Sequence, residues 1–208
     1  MLKHPEFANP VLSEKEARDL FAPYASKIVA LMNSAWRQWE NCPQRIMLDA
    51  RARASFLSSV FRHEAKVAFV GDSNISFTEK GNSFFLYLGS EAKARFKKLK
   101  PNGEYSNIMT GLQLKLMKQM NIPNILPGTY LTIGYQLDPL QQKIQSRKIT
   151  LQSSKGVIYM IDLDQAASAS APSVTVMPQA PPQSNVPRAR ARKEAAAEIK
   201  KKKPSEQE

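Results

Sequence analysis

Apolar side chains recur at helix and strand periods through the first 164 residues and then stop, and this break bounds what the chain can fold into. Residues 165 to 208 read QAASASAPSVTVMPQAPPQSNVPRARARKEAAAEIKKKKPSEQE. Pro, Ala, Ser and charge dominate there, and the apolar surface is too small to offset the entropy of ordering it. The expectation is a disordered Pro/Ala/Ser-rich basic tail at 165 to 208, a flexible N-terminus at 1 to 12, and a single α+β domain at 13 to 164. A core of roughly 150 residues is stable without staples. Within the tail, residues 192 to 203, where Glu198 stands four positions ahead of Lys202, are expected to form a short helix only on a partner, since so short a helix is marginal alone.

The N-terminal part of the domain has helical rhythm. Ser13-Glu-Lys-Glu16 has the form of a capping box, so a helix is expected to start there and to break at Pro23. Tyr24, Ile28, Leu31 and Ala35, flanked by Met32, Trp36 and Trp39, then recur at three- and four-residue spacing and mark a core face. Asn41-Cys-Pro43 ends this element, with Cys42 a small apolar side chain at the helix end. A second helix is predicted over 44 to 66, with Ile46, Leu48, Ala50, Ala54, Leu57, Val60 and Phe61 available for burial. Its other faces carry Arg45, Arg51, Arg53, Arg62 and Lys66. The pair forms an αα-hairpin without the glycine-bearing turn of a DNA-reading helix-turn-helix.

From Val67 the pattern is that of strands. Residues 67 to 70, 75 to 78, 83 to 88 and 91 to 99 read as extended, the last three as a β-meander. Pro101-Asn-Gly103 makes a turn, and 106 to 120 reads as a helix with Ile108, Leu112, Leu116 and Met120 on one face. Three further antiparallel strands follow at 130 to 137, 143 to 151 and 157 to 163. Strands in runs with segregated helices give an α+β fold: two N-terminal helices, a meander, one helix, three strands and the tail.

Composition narrows function mainly by exclusion. The single cysteine rules out a disulfide framework and any multi-cysteine metal site, which suits a reducing compartment, so a cytoplasmic location is expected. No apolar signal segment opens the chain and no run of about 18 apolar residues occurs, so no membrane partner is expected. With two histidines, no G-x-S-x-G elbow and no glycine-rich phosphate loop, nothing calls for a nucleophilic hydrolase or for ATP or NAD, and no cofactor is expected. The charge points elsewhere. Lys and Arg number 30 against 18 Asp and Glu, a net charge of +12. Residues 1 to 164 carry 22 basic and 14 acidic side chains, net +8, so the domain is basic without its tail. Such a balance favours polyanions, of which nucleic acid is the commonest.

Two segments concentrate that charge. On the strand 91 to 99, alternation places Lys93, Arg95 and Lys97 on one face at about 6.6 Å intervals, with Lys98 beside them. A lysine-studded edge strand that prevents edge-to-edge pairing has the same appearance. In the tail, Arg188, Arg190, Arg192 and Lys193, then Lys200, Lys201, Lys202 and Lys203, are dense enough for sequence-independent phosphate contacts. The same residues would also serve a solubilising tail that binds nothing specific.

Asp72, followed by Glu91-Ala-Lys93, supplies two carboxylates and a lysine, a set that can hold Mg²⁺ and polarise water. With the helix, three strands, helix and strand of 44 to 137, this arrangement resembles the PD-(D/E)xK nucleases over about half the chain. The resemblance implies metal-ligand roles for Asp72 and Glu91 and a charge-stabilising role for Lys93. The sequence departs from that pattern at 83 to 88, the middle strand, which contains no acid. Asp162 and Asp164, either side of Leu163, and the His63-Glu64 pair are read as surface groups. The resulting expectation is a non-enzymatic nucleic-acid-associated protein making mainly non-specific phosphate contacts. An accessory module holding a protein partner, of the sort carried by bacterial mobile-element or defence operons, is the alternative, and a metal-dependent nuclease is the third reading. Oligomeric state leaves no trace in the sequence.

Overall fold

Three local devices build the helical layer in the computed structural model, which describes residues 1 to 81, 83 to 105 and 110 to 170. The Glu16 carboxylate accepts from Ser13 N–H at 2.8 Å and the Ser13 hydroxyl from Glu16 N–H, the predicted capping box, opening α1 (Glu14–Phe21). Pro23 cannot donate to the preceding turn, and a single 3₁₀ turn, Ala22–Tyr24, separates α1 from α2 (Ala25–Glu40). The Asp49 carboxylate accepts from Ala52 N–H at 2.7 Å and starts α3 (Ala50–Ala68).

The structure corrects the predicted second helix at both ends. Pro43 starts a 3₁₀ turn, Pro43–Met47, so Ile46 and Leu48 are exposed, and Ala50 and Ala54 with them. At the other end, the segment 67 to 70 is not a strand. Leu57, Phe61, Ala65 and Phe69 are buried at four-residue intervals while Val67 and Val70 face out, so the helix period carries through to the cap at Phe69.

The sheet has six strands in chain order: β1 (Ile75–Lys80), β2 (Ser83–Leu88), β3 (Ala92–Lys98), β4 (Thr129–Leu137), β5 (Ile144–Ser153) and β6 (Gly156–Asp162). All neighbours are antiparallel except β3 and β4, which run parallel from Ala92↔Thr129 to Lys98↔Tyr135. Parallel neighbours require a crossover. It contains α4 (Gly111–Met117), capped by the Thr110 hydroxyl, which accepts from Gln113 N–H. α4 is shorter than predicted. It ends before Gln119, at φ 54°, leaving Met120 exposed, and residues 106 to 109, where Ile108 was expected on the core face, lie outside the described residues.

One sheet face packs its apolar residues, among them Leu86, Leu88, Ala94, Leu131, Ile133 and Ile149, against α1, α2 and α3. The other carries a smaller cluster in which Phe85, Tyr87 and Tyr130 meet Leu116, Ile122 and Ile125 from the crossover. Both predicted domain boundaries move outward. Leu2 pairs with Val11, Val11 and Leu12 are buried, and Tyr159 donates to the Leu12 carbonyl at 3.1 Å, so residues 1 to 12 are packed. At the far end Asp164 lies inside α5 (Leu163–Ser170), where its carboxylate accepts from Arg147 N–H at 3.0 Å and from the Arg147 guanidinium at 2.9 Å. The remainder of the proposed tail, from residue 171, lies outside the described residues.

Gly134, in the middle of β4, marks a close approach, since a Cβ there would stand 2.3 Å from Cγ and Cδ1 of the buried Leu99. Gly134→Ala should lower stability by about 1–3 kcal/mol through overpacking. In urea titrations the Gly134→Ala, Leu99→Ala double variant should lose less than the sum of the two singles; strictly additive losses would show that the contact does not matter.

Candidate nucleic-acid interface

The alternation along β3 is as the sequence indicates: Ala92, Ala94 and Phe96 join the helix-packed core, and Lys93, Arg95 and Lys97 share the opposite face. That face, however, is not an open basic stripe. Lys93 is 3% exposed, flanked in register by Tyr87 and Tyr130, and its ammonium donates to the Leu126 carbonyl at 3.2 Å. The Arg95 guanidinium lies 5.4 Å from the centre of the Phe85 ring. Burial, and then Arg95, bring the Lys97 ammonium down to about 8. The α4 crossover covers this face, and nothing within β3 itself signals a cover. Of the four predicted strand cations only Lys98 is exposed.

A different basic surface forms around Lys98. The parallel pairing brings the carboxyl ends of β3 and β4 to one end of the sheet, beside the start of α3, and they enclose a groove of about 700 Å³. One wall is α3, where Ala50, Ala54 and Ser58 recur at four-residue spacing and present small side chains. The opposite wall is formed by residues 97 to 101 and 136 to 139. The floor is aromatic: Phe61 stacks on Phe96 at 5.4 Å and meets Tyr135 edge-on at 5.3 Å.

Charge on the groove is predominantly basic. Arg51, Lys98 and Lys100 bring side-chain cations to it, Lys97 in the lining having its side chain on the opposite sheet face, and Arg53 joins them through Gln141, whose side-chain oxygen accepts from the Arg53 guanidinium and, at 3.2 Å, from the Lys98 ammonium. Partial desolvation and then Arg53 lower the Lys98 pKa, the effect expected of two cations held close. The acid in the lining, Asp138, is committed to the turn that follows β4, accepting from Gln142 N–H at 2.6 Å and Lys143 N–H at 2.9 Å. Lys100 pairs with Glu104 at 3.5 Å. The first turn of a 19-residue helix adds a positive dipole end.

Sequence reasoning assigned Arg51 and Arg53 only to the outer faces of a helix and did not select Gln141 or Tyr135. The Arg-Ala-Arg-Ala run after Asp49 was the available signal, because side chains in a helix's first turn reach past its N-terminus. The tail cations Arg188, Arg190, Arg192, Lys193 and Lys200 to Lys203 lie outside the described residues.

The other constellations do not assemble. Asp72 accepts from Asn74 N–H at 3.1 Å within its own turn, and the Lys93 ammonium is turned to a main-chain carbonyl. Among the described residues, no three His, Cys, Asp or Glu side chains stand close enough to hold a metal. Asp162 caps α5 by accepting from Gln165 N–H at 2.9 Å while Asp164 pairs with Arg147, so the two acids do separate structural work. No helix among the described residues is long and apolar enough to cross a membrane. Comparison with protein-family models, with curated proteins and with solved structures yields no match.

The Lys97 pKa of about 8, against an ordinary 10.5, makes stability depend on pH. Between those values the unfolded chain binds the proton more tightly than the folded chain, so stability should rise with pH across that window. Above pH 10 the sign reverses, because burial has pushed Tyr135 up to about 12. Lys97→Met should therefore be more stable than the parent near pH 7 and lose much of the rise between pH 8 and 10 in urea unfolding. A parent whose stability is flat across that window would contradict the buried ammonium.

Proposed function

We propose that this domain is a non-enzymatic nucleic-acid-binding module whose contact surface is the basic groove at the start of α3. One observation carries the reading: cations from α3 and from the end of β3 converge over an aromatic floor, while the lining carboxylate Asp138 is held by its own turn. Phosphates are recognised by such clusters through charge-assisted hydrogen bonds, and the partly exposed Phe96 ring, backed by the buried Phe61 and Tyr135, offers a base a surface that does not depend on sequence. The domain's own net charge of +8 over residues 1 to 164 supports the same partner. The eight basic residues of 165 to 208 would add non-specific affinity as a tethered second contact.

A second reading, a module holding a protein partner, draws on Ile46, Met47 and Leu140, which are 87%, 77% and 74% exposed in segments adjoining the groove. Salt separates the two. Binding of the full-length protein to nucleic acid should weaken steeply between about 50 and 200 mM salt. Arg51→Gln, Arg53→Gln and Lys98→Gln should each lower the slope of log K against log salt by about 0.7 to 1, one phosphate contact apiece. If none of the three changes the slope, the groove is not the contact surface, and if the protein binds no nucleic acid at the lower salt, the protein-partner reading takes its place.

A further inference from the structure

Resting on the nucleic-acid reading, we propose that Arg53, Lys98 and Gln141 form a seat for one phosphate of a single-stranded nucleic acid, the Gln141 side-chain oxygen standing where a phosphate oxygen binds. Two full positive charges from different elements, the first turn of α3 and the last residue of β3, are aimed at one neutral amide oxygen. The bonds to the Gln141 oxygen are charged on the donor side alone, whereas an anionic phosphate oxygen adds direct attraction between opposite charges, so a phosphate at this junction outcompetes the amide.

The carrier of that amide is built to release it. Gln141 lies on an exposed turn with φ 56°, and the turn is held by main-chain groups: Gln141 N–H donates to the Asp138 carbonyl at 2.8 Å, and the Asp138 carboxylate grips Gln142 and Lys143. The Gln141 side chain can leave while these bonds remain. Its exposure removes any desolvation cost of doing so.

The strandedness follows from shape. Duplex phosphates lie on a convex surface with the base faces hidden in the stack, and proteins reach them with protruding helices, ribbons or arms. Here the cations line a recess of about 700 Å³, and the partly buried Phe96 ring lies in its floor. That combination accepts an unstacked base next to its own phosphate.

The test is fluorescence anisotropy on the full-length protein at about 50 mM salt, with an oligothymidylate of about 12 nucleotides and a duplex of the same length. Gln141→Glu places the protein's own carboxylate between Arg53 and Lys98 and should weaken oligothymidylate binding by about tenfold or more. Gln142→Glu adds the same charge on the same turn but off the junction and should stay within about threefold. Gln141→Ala, which empties the seat, should bind at least as tightly as the parent, and the parent should prefer the single strand. Equal effects of the two Glu variants would overturn the seat while leaving nucleic-acid binding intact. A preference for the duplex would overturn the single-strand assignment, and a parent that binds neither probe would remove the underlying reading.

Discussion

The parallel pairing of β3 with β4 is the constraint on which the rest of the molecule depends. Every other strand pair is antiparallel and can be joined by a tight turn, whereas a parallel neighbour obliges the chain to return to the starting edge before it can pair again. The return carries α4 and residues 122 to 126 across the sheet face opposite the three N-terminal helices, which gives that face a core of its own. The same pairing sets the end of β3, at Lys98, level with Tyr135 near the end of β4, beside the first turn of α3. Groove and cover are two consequences of one topological choice.

Electrostatics then divides β3 into two kinds of lysine. Under the crossover, Lys93 meets a carbonyl and Arg95 an aromatic ring, partners that satisfy hydrogen-bonding and quadrupole terms without neutralising charge. Burial makes an ammonium give up its proton more readily, and both Lys93 and Lys97 shift downward for that reason, Lys97 also through the nearby Arg95. Lys98, one residue beyond the cover, keeps its ammonium at the surface and shares an acceptor with Arg53. Position along a single strand thus separates cations that cost stability from cations available to a ligand.

The domain ends are secured by polar contacts between distant elements as well as by the burial of Val11, Leu12 and Leu163. Arg147 on β5 reaches Asp164 on α5 and the Asn33 side-chain oxygen on α2, joining three elements through one guanidinium. At the other end, Leu12 donates its N–H to the Thr129 hydroxyl at 3.0 Å and takes a hydrogen bond from Tyr159 on its carbonyl. The N-terminal segment shows no helix or strand period of its own, because the bonds that order it are made to residues more than a hundred positions away.

Local features were legible because neighbours in sequence satisfy them. The Ser13–Glu16 box, the break at Pro23, the buried Ile28, Leu31, Ala35 and Trp39, and the α+β order of elements all depend on contacts within a few turns or on periodicity alone. Periodicity says which side chains share a face but not whether another element will cover that face. Lys93, Arg95 and Lys97 were correctly grouped and were nevertheless buried or half-buried, and Ile46, Leu48 and Val67 were apolar yet left in solvent. By itself the sequence determined the capped start at Ser13, the break at Pro23, the strand alternation and the basic character of the chain, since these follow from side-chain chemistry at short range. Only the tertiary structure decided which cations face solvent and which meet across the groove, because Arg53, Lys98 and Gln141 are brought together by a strand crossover that no local pattern encodes.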